Sequence, residues 1–474
     1  MADPTELHDL SALAQGRLIR AGEVSPRELV LHYAERAVRR DDVGAFVHLD
    51  PERAVDVAAA LPLPGEDAGP LYGLPTAHKD LTLTAGVPTA FGSPVFAGFV
   101  PDVDDAVAAA VAAAGMPSLG KTATPEFGSP CYTEPEGRPA AVTPWDRTRM
   151  AGGSSGGAAA AVAAGLVPLA PGSDGGGSIR IPASCCGLVG LKPTRGRISG
   201  WPSYGEPTGL ATPGPIARTV RDAAALLDVL AGRRPGDPAW APAPSSTFLA
   251  ACERPPGRLR VARFAVPILD EVEVHPECLL AYERASHLLE QLGHDVEDVP
   301  VPLPREAVAV FETVWAVLTA LTPVPTEQQH LLRPLTRWLS ARGEAVNGPD
   351  FGRALGAMRR HAAGALEALA PYDVVLTPTL AAPPLPVGAL RDDADPAADF
   401  AAQKRFTPWT SVWNVTGMPA VSLPLHWTAP TAEAPELPVG VMLAARPAEE
   451  ELLLALAAQV EAAAPWHHRR PPGW

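Results

Sequence analysis

Lysine is scarce in this 474-residue chain: only Lys79, Lys121, Lys192 and Lys404 occur among 38 basic residues. Positive charge is short overall. A formal net charge of -15 argues against a chain whose main task is gripping phosphate backbones, because that affinity comes largely from Lys and Arg. Small molecules or peptides are the expected partners, and no nucleic acid. The cysteines, Cys131, Cys185, Cys186, Cys252 and Cys278, are odd in number and contain no C-x-x-C pair, so neither a disulfide framework nor a zinc site is suggested. All five are expected as thiols in a reducing compartment. No apolar run reaches membrane-spanning length, and the start "MADPTELHDL" lacks a basic segment followed by an apolar one. The expectation is a cytoplasmic chain without membrane contact. G-x-G-x-x-G does not occur, and G-x-x-x-x-G-K-[ST] is matched once, by "GMPSLGKT" at 115–122, in a stretch that reads as a strand and not as a turn opening a helix, which disfavours a nucleotide-binding nest. With aromatic residues at 6%, alanine, valine and leucine must fill most of the core.

Glycine and serine, by contrast, are dense between residues 141 and 200. The stretch "GGSSGG" at 152–157 has the composition of a flexible linker. It runs at once into "AAAAVAAG" and then into a second glycine cluster, which predicts a loop feeding an alanine helix instead. Elsewhere "SPREL" places Ser25, Pro26 and Glu28 as a capping box for a helix. Residues 68–125 predict α/β units: a strand at "YGLPTAHK", a helix at "DDAVAAAVAAAG" and a strand at "MPSLGKT". "TPGPIARTVRDAAALLDVLAG" at 212–232 predicts a further capped helix. Residues 233–260 are proline-rich and predict a surface excursion. A mainly helical stretch follows from 275 to 370, then a buried strand at Val374–Thr377, two strands in "GMPAVSLPLHW" and "LPVGVMLAA", and a helix over 448–464.

Three places could carry chemistry. "LPTAHKD" sets Lys79 at the end of a strand-like run, "AGGSSGG" supplies Ser154 and Ser155, and "GSDGGGSIR" supplies Ser178 after three glycines. A serine is a poor nucleophile unless a base lies within hydrogen-bond reach. His78 would point away from Lys79 in a strand, which leaves Lys79 as the base. Its ammonium pKa must then fall from about 10.4 toward neutrality, as burial and nearby helix N-termini would bring about. An intervening serine could relay the proton. Without Cβ atoms at 175–177, backbone N–H groups could converge on a developing oxyanion, where one donor contributes about 3 kcal/mol.

The pattern K-D, then G-G-S-S-G-G, then G-S-D-x-G-G-S-I-R-x-P-A-x-x-C-G-x-x-G-x-K-P-T resembles the amidase signature family, whose members hydrolyse amides with a Ser-Ser-Lys triad. Segments such as "NVTGMPAVSLP" extend the likeness over nearly the whole chain. The resemblance implies an α/β fold, an α/β/α sandwich with a central mixed β-sheet covered by helices. Within a single domain, 1–65 would be an N-terminal helical segment and 66–232 the core with the triad. Residues 233–400 would form a more variable, largely helical excursion, and 401–474 would complete the core. Ser178 would be the acyl-forming nucleophile, Lys79 the ultimate base, and Ser154 the bridging serine, held by a cis peptide after Gly153. The amides of Gly175, Gly176, Gly177 and Ser178 would form the oxyanion hole, with Ser155, Asp174 and Arg180 bracing the loops.

No cofactor or metal is implied. The implied partner is a small-molecule amide, with a homodimer as the family-based expectation. The alternative is the A subunit of a glutamyl/aspartyl-tRNA amidotransferase, which releases ammonia for a partner subunit. Two departures from the family pattern stand out: Gly175 replaces a larger residue, often threonine, and Ala123 replaces an asparagine near the substrate. Ser155 is also read as a partial helix cap, and Lys192 as a structural lysine bonding loop carbonyls. Cys185 and Cys186 are read as small buried side chains. Trp409, Trp413 and Asn414 are candidates for an acyl pocket, with core packing the alternative for the tryptophans.

Overall fold

Eleven strands among the described residues form two sheets, and the seam between them positions the chemistry. The structure is a computed structural model that describes residues 6–202, 206–431 and 435–474. Residues 1–5 of the acidic start lie outside the described residues. The small sheet has β1 (Phe46–Leu49), β3 (Ser118–Thr122) and β2 (Thr76–Lys79) in the order β1-β3-β2. The large one uses β4 (Leu169–Asp174), β5 (Val189–Lys192), β6 (Thr212–Ala217), β7 (Arg260–Arg263), β8 (Asp295–Asp298), β9 (Val374–Pro378), β10 (Ala420–Trp427) and β11 (Pro438–Ala445). Their order is β4-β6-β5-β10-β11-β9-β7-β8. Pairing is antiparallel from β4 to β9 and parallel from β9 to β8, so the sheet is mixed.

The central strands are apolar along their length because both faces are covered. Val421, Leu423, Val441 and Leu443 pack into one hydrophobic cluster with the helices Val220–Leu230, Pro276–Gln291 and Glu450–Ala463. Their neighbours Ala420, Met442 and Ala444 pack with Trp409 and Trp413 in another. The period of two along each strand thus sorts side chains into two layers, as expected of the α/β/α sandwich.

Local signals are met where capping chemistry is explicit. Ser25 Oγ accepts from Glu28 N at 3.2 Å and the Glu28 carboxylate accepts from Ser25 N at 2.8 Å. The alanine run forms the helix Gly156–Ala163, and the last helix spans Glu450–Ala463. The helix expected over 212–232 is instead β6 followed by a helix at Val220–Leu230. Pro213 and Pro215 lie in the first half, where their rings exclude a helix interior, and Thr219 Oγ1 caps the second half by accepting from Asp222 N. The excursion also contains more than helices: β7 and β8 extend the sheet beyond β9. Among the described residues, no helix is long and apolar enough to cross a membrane.

The two sheets meet along β2 and β4. Thr76 Oγ1 donates to the Leu169 carbonyl at 3.1 Å at the start of this seam, and Lys79 reaches Ser173 at its end.

Candidate active site

Lys79 ends β2 with its side chain wholly buried. Its Nζ is hydrogen-bonded to Ser154 Oγ at 2.8 Å and to Ser173 Oγ at 3.0 Å. Burial lowers its pKa to about 7, while the Asp174 charge pulls the other way. The amine is therefore half neutral near physiological pH, which an exposed lysine is not. His78 is also buried, on the other side of the strand, and burial followed by the Lys121 charge lowers its pKa to about 3.

The three serines come from two loops. Ser154 and Ser155 precede the helix Gly156–Ala163, and the Gly153–Ser154 peptide is cis. A Cβ on Gly153 would lie 2.7 Å from Tyr132 N, so only glycine fits that approach. Ser178 follows β4, and its carbonyl accepts from Ser155 N at 3.1 Å, which ties the two loops together. Ser178 is 7% exposed against 1% for Ser154, so both are buried and Ser178 is the more accessible of the two. Ser178 Oγ makes no hydrogen bond among the described residues, although both hydroxyls line the same cavity. The Ser155 hydroxyl does not cap the helix. It donates to the Ser173 carbonyl at 3.2 Å and accepts from Ser173 N at 3.3 Å.

Asp174 and Arg180 brace the glycine loop from below. Arg180 Nε and Nη2 donate to the two carboxylate oxygens at 2.9 and 2.8 Å, both residues being fully buried. Burial alone would raise the Asp174 pKa, but the Arg180 guanidinium, with Lys192 and the Asn414 amide, holds it well below the usual carboxylate range. Asn414 completes the support: its Oδ1 accepts from Arg180 Nη2 and its Nδ2 donates to Asp174 Oδ1.

One expected oxyanion donor is corrected. The Gly177 N–H donates to Asp174 Oδ1 at 2.7 Å, so that donor is already engaged. The N–H groups of Gly175, Gly176 and Ser178 have no acceptor among the described residues. Gly177 has a different role: its φ is +133°, and a Cβ there would meet Thr410 Oγ1 at 2.6 Å.

Two cavities open on Ser178. One encloses about 870 Å3, part of it open to solvent, and is walled by Ile181, Ile268, Leu303, Phe311, Trp315 and Val412 among others. The other holds Ser154, Ser173 and Gly175, with Leu81, Phe127 and Leu318. Trp409, Trp413 and Asn414 line neither cavity: the tryptophans are core and Asn414 is support. Ala123 lines neither cavity either; its carbonyl accepts from Gly157 N beneath the alanine helix. Cys185 and Cys186 are buried, and Lys192 Nζ donates to the Pro193 carbonyl at 2.9 Å.

Sequence reasoning missed Ser173, Trp315 and Ser129. Ser173 had a signal, since it sits one residue before Asp174 in the quoted motif. Trp315 had none, because it reaches the site from a helix far along the chain.

A family model described as Amidase matches residues 28–454. The chain is 36% identical to the 6-aminohexanoate-cyclic-dimer hydrolase of Paenarthrobacter ureafaciens, over 97% of this chain and 96% of that protein. A solved structure of 6-aminohexanoate cyclic dimer hydrolase complexed with substrate superposes with a TM-score of 0.90 at 33% identity, covering 99% of both chains. The chain is also 32% identical to the glutamyl-tRNA(Gln) amidotransferase A subunit of Chloroflexus aurantiacus, over 98% of this chain and 99% of that one.

Proposed function

The chain belongs to the amidase family and is a hydrolase of carbon–nitrogen bonds in amides; from that premise we propose a stand-alone amidase with Ser178 as nucleophile, Ser154 as relay and Lys79 as base. The observation that carries this reading is the 2.8 Å contact between Lys79 Nζ and Ser154 Oγ, made by an amine whose pKa is lowered to about 7. A neutral Lys79 accepts a proton from Ser154, which accepts one from Ser178 as Ser178 Oγ bonds to the substrate carbonyl carbon. The oxygen of the resulting tetrahedral adduct takes hydrogen bonds from the unengaged amides of Gly175, Gly176 and Ser178. Collapse breaks the C–N bond, and the proton returns through Ser154 to the departing amine. Water then attacks the acyl-serine by the same route in reverse and releases the acid.

A cytoplasmic setting belongs to the same proposal, supported by five free thiols and no disulfide among the described residues. So does action on a small-molecule amide without nucleic acid or membrane, in a homodimer. The amidotransferase A subunit is the weaker reading, since the relatives that are closer in identity and fold are hydrolases.

The test is turnover of simple amides by the purified single chain, with a fluorophosphonate probe to report the reactive serine. Labelling that survives in Ser178→Ala, or amide cleavage that appears only with a partner subunit, defeats the proposal.

A further inference from the structure

Trp315, Ser129 and Ser178 line both cavities, whereas Ser154 lines only one. The indole stands between the two spaces and is fixed from three sides. Its Nε1 donates to Ser129 Oγ at 3.1 Å. Its ring stacks on Phe311, with centroids 5.4 Å apart and planes 21° apart. Its far edge rests against the oxyanion loop, where a Cβ added at Gly175 would lie 3.6 Å from Trp315 Cζ3. The missing side chain at 175 leaves the ring room to approach.

Resting on the Lys79–Ser154–Ser178 reading, we propose that Trp315, positioned by Ser129, is the partition that separates acyl group from amine, and that the substrate is a secondary amide of an uncharged, apolar acid. The relay must hand a proton to the departing nitrogen, so the amine lies in the cavity that contains Ser154. The acyl group then occupies the other. That space is walled by Ile268, Leu303, Val308, Phe311, Val412 and Val415. Its amide and its ammonium are engaged elsewhere, which leaves neutral hydroxyls such as that of Ser411 and no free charge to pair with a charged acyl head. Gln403 Oε1 accepts from Cys131 N and Gln403 Nε2 donates to Asp399 Oδ1, while the Lys404 ammonium is paired with Glu312. Burying a charged or strongly polar acyl chain there would leave its desolvation uncompensated. The amine side carries Leu81, Phe127, Leu210 and Leu318, and the Glu206 carboxylate on its wall is taken up by the amides of Thr208 and Gly209, which suits an N-substituent better than free ammonia.

The test uses the purified full chain and p-nitroanilides of acetic, butyric, pentanoic and hexanoic acids, with γ-glutamyl p-nitroanilide as the polar probe. The wild type is expected to gain roughly fourfold in kcat/KM per added methylene, and to favour the pentanoyl over the γ-glutamyl anilide at least tenfold. Trp315→Ala is expected to cut the hexanoyl-to-acetyl ratio at least tenfold, mainly through KM, without moving the acid limb of the pH profile. Trp315→Phe is expected to keep most of that ratio. Ser129→Ala should shift it in the same direction as Trp315→Ala and add nothing in the double variant. Should Trp315→Ala not fold, Trp315→Leu is read in its place. An unchanged ratio, a preference for the γ-glutamyl anilide, or no turnover of any anilide by an enzyme whose Ser178 still labels overturns the proposal. A Ser178→Ala variant that stays active defeats the underlying reading instead, so the two failures are distinct.

Discussion

Lys79 and Ser154 stand 75 positions apart in the chain, yet Nζ and Oγ are separated by only 2.8 Å. That distance leaves no room for a water between them, and the lysine has no carboxylate in direct contact to keep it charged. Its value near 7 therefore sets a pH dependence. The proton-accepting form predominates above that value, so kcat/KM for an anilide should rise with pH, reach its midpoint at about 7 and fall tenfold per unit well below it. Stability should move with it. The unfolded chain binds the proton near the ordinary lysine value of 10.5, the folded one near 7, so the unfolded state holds more protons in between. Unfolding free energy should accordingly climb as pH rises through that window, and Lys79→Met should flatten that part of a urea-denaturation series.

Replacing the hydroxyls should separate their roles. Ser178→Ala should abolish both turnover and fluorophosphonate labelling. Ser154→Ala should lower kcat by roughly 10² to 10⁴-fold, the range for a positioned proton transfer, while Ser178 still labels slowly. Stopped assays on an anilide and gel readout of the probe check both.

Arg180→Met should destabilise the fold by about 3–5 kcal/mol, because it strands the Asp174 carboxylate in a fully buried position. Guanidinium denaturation measures this. A loss of kcat should accompany it, since Asp174 Oδ1 also holds the Gly177 amide.

Two neighbouring glycines should respond differently to the same change. Gly177→Ala sets a methyl 2.6 Å from Thr410 and demands a φ that L residues rarely adopt, so thermal stability and kcat should both fall. Gly175→Ala meets only the Trp315 ring at ordinary contact distance, and its midpoint of thermal unfolding should stay within about 1 °C of wild type, a shift of about 1 kcal/mol or less for a chain of this size.

Much of the fold and the site is legible in the residues alone, for physical reasons that differ by position. Ser25 and Glu28 announce a helix start because capping is local chemistry, and Val374 to Thr377 announces a buried strand because both its faces are apolar. Lys79, Ser154 and Ser178 are legible through the motifs around them, where glycines mark close backbone approaches. The strand Thr212–Ala217 reads as helix although Pro213 and Pro215 flag it, since the amphipathic run after Thr219 dominates the pattern. The engagement of the Gly177 amide by Asp174 is not legible at all. Both residues stand in the right motif, but a hydrogen bond's direction is decided by backbone torsions that composition does not record.

Residue order by itself determined the chemistry available: an amine at the end of a strand, two hydroxyl-bearing loops, and glycines where side chains would obstruct. It determined the anionic, thiol-bearing character of the chain as well. Only the folded arrangement decided how deeply the amine is buried, which backbone donors stay unengaged and which indole lines the cavities that open on Ser178. Those depend on long-range packing between β2, β4 and a helix more than a hundred residues downstream. The free energy of such contacts belongs to pairs of surfaces, and no window along the chain contains both members of the pair.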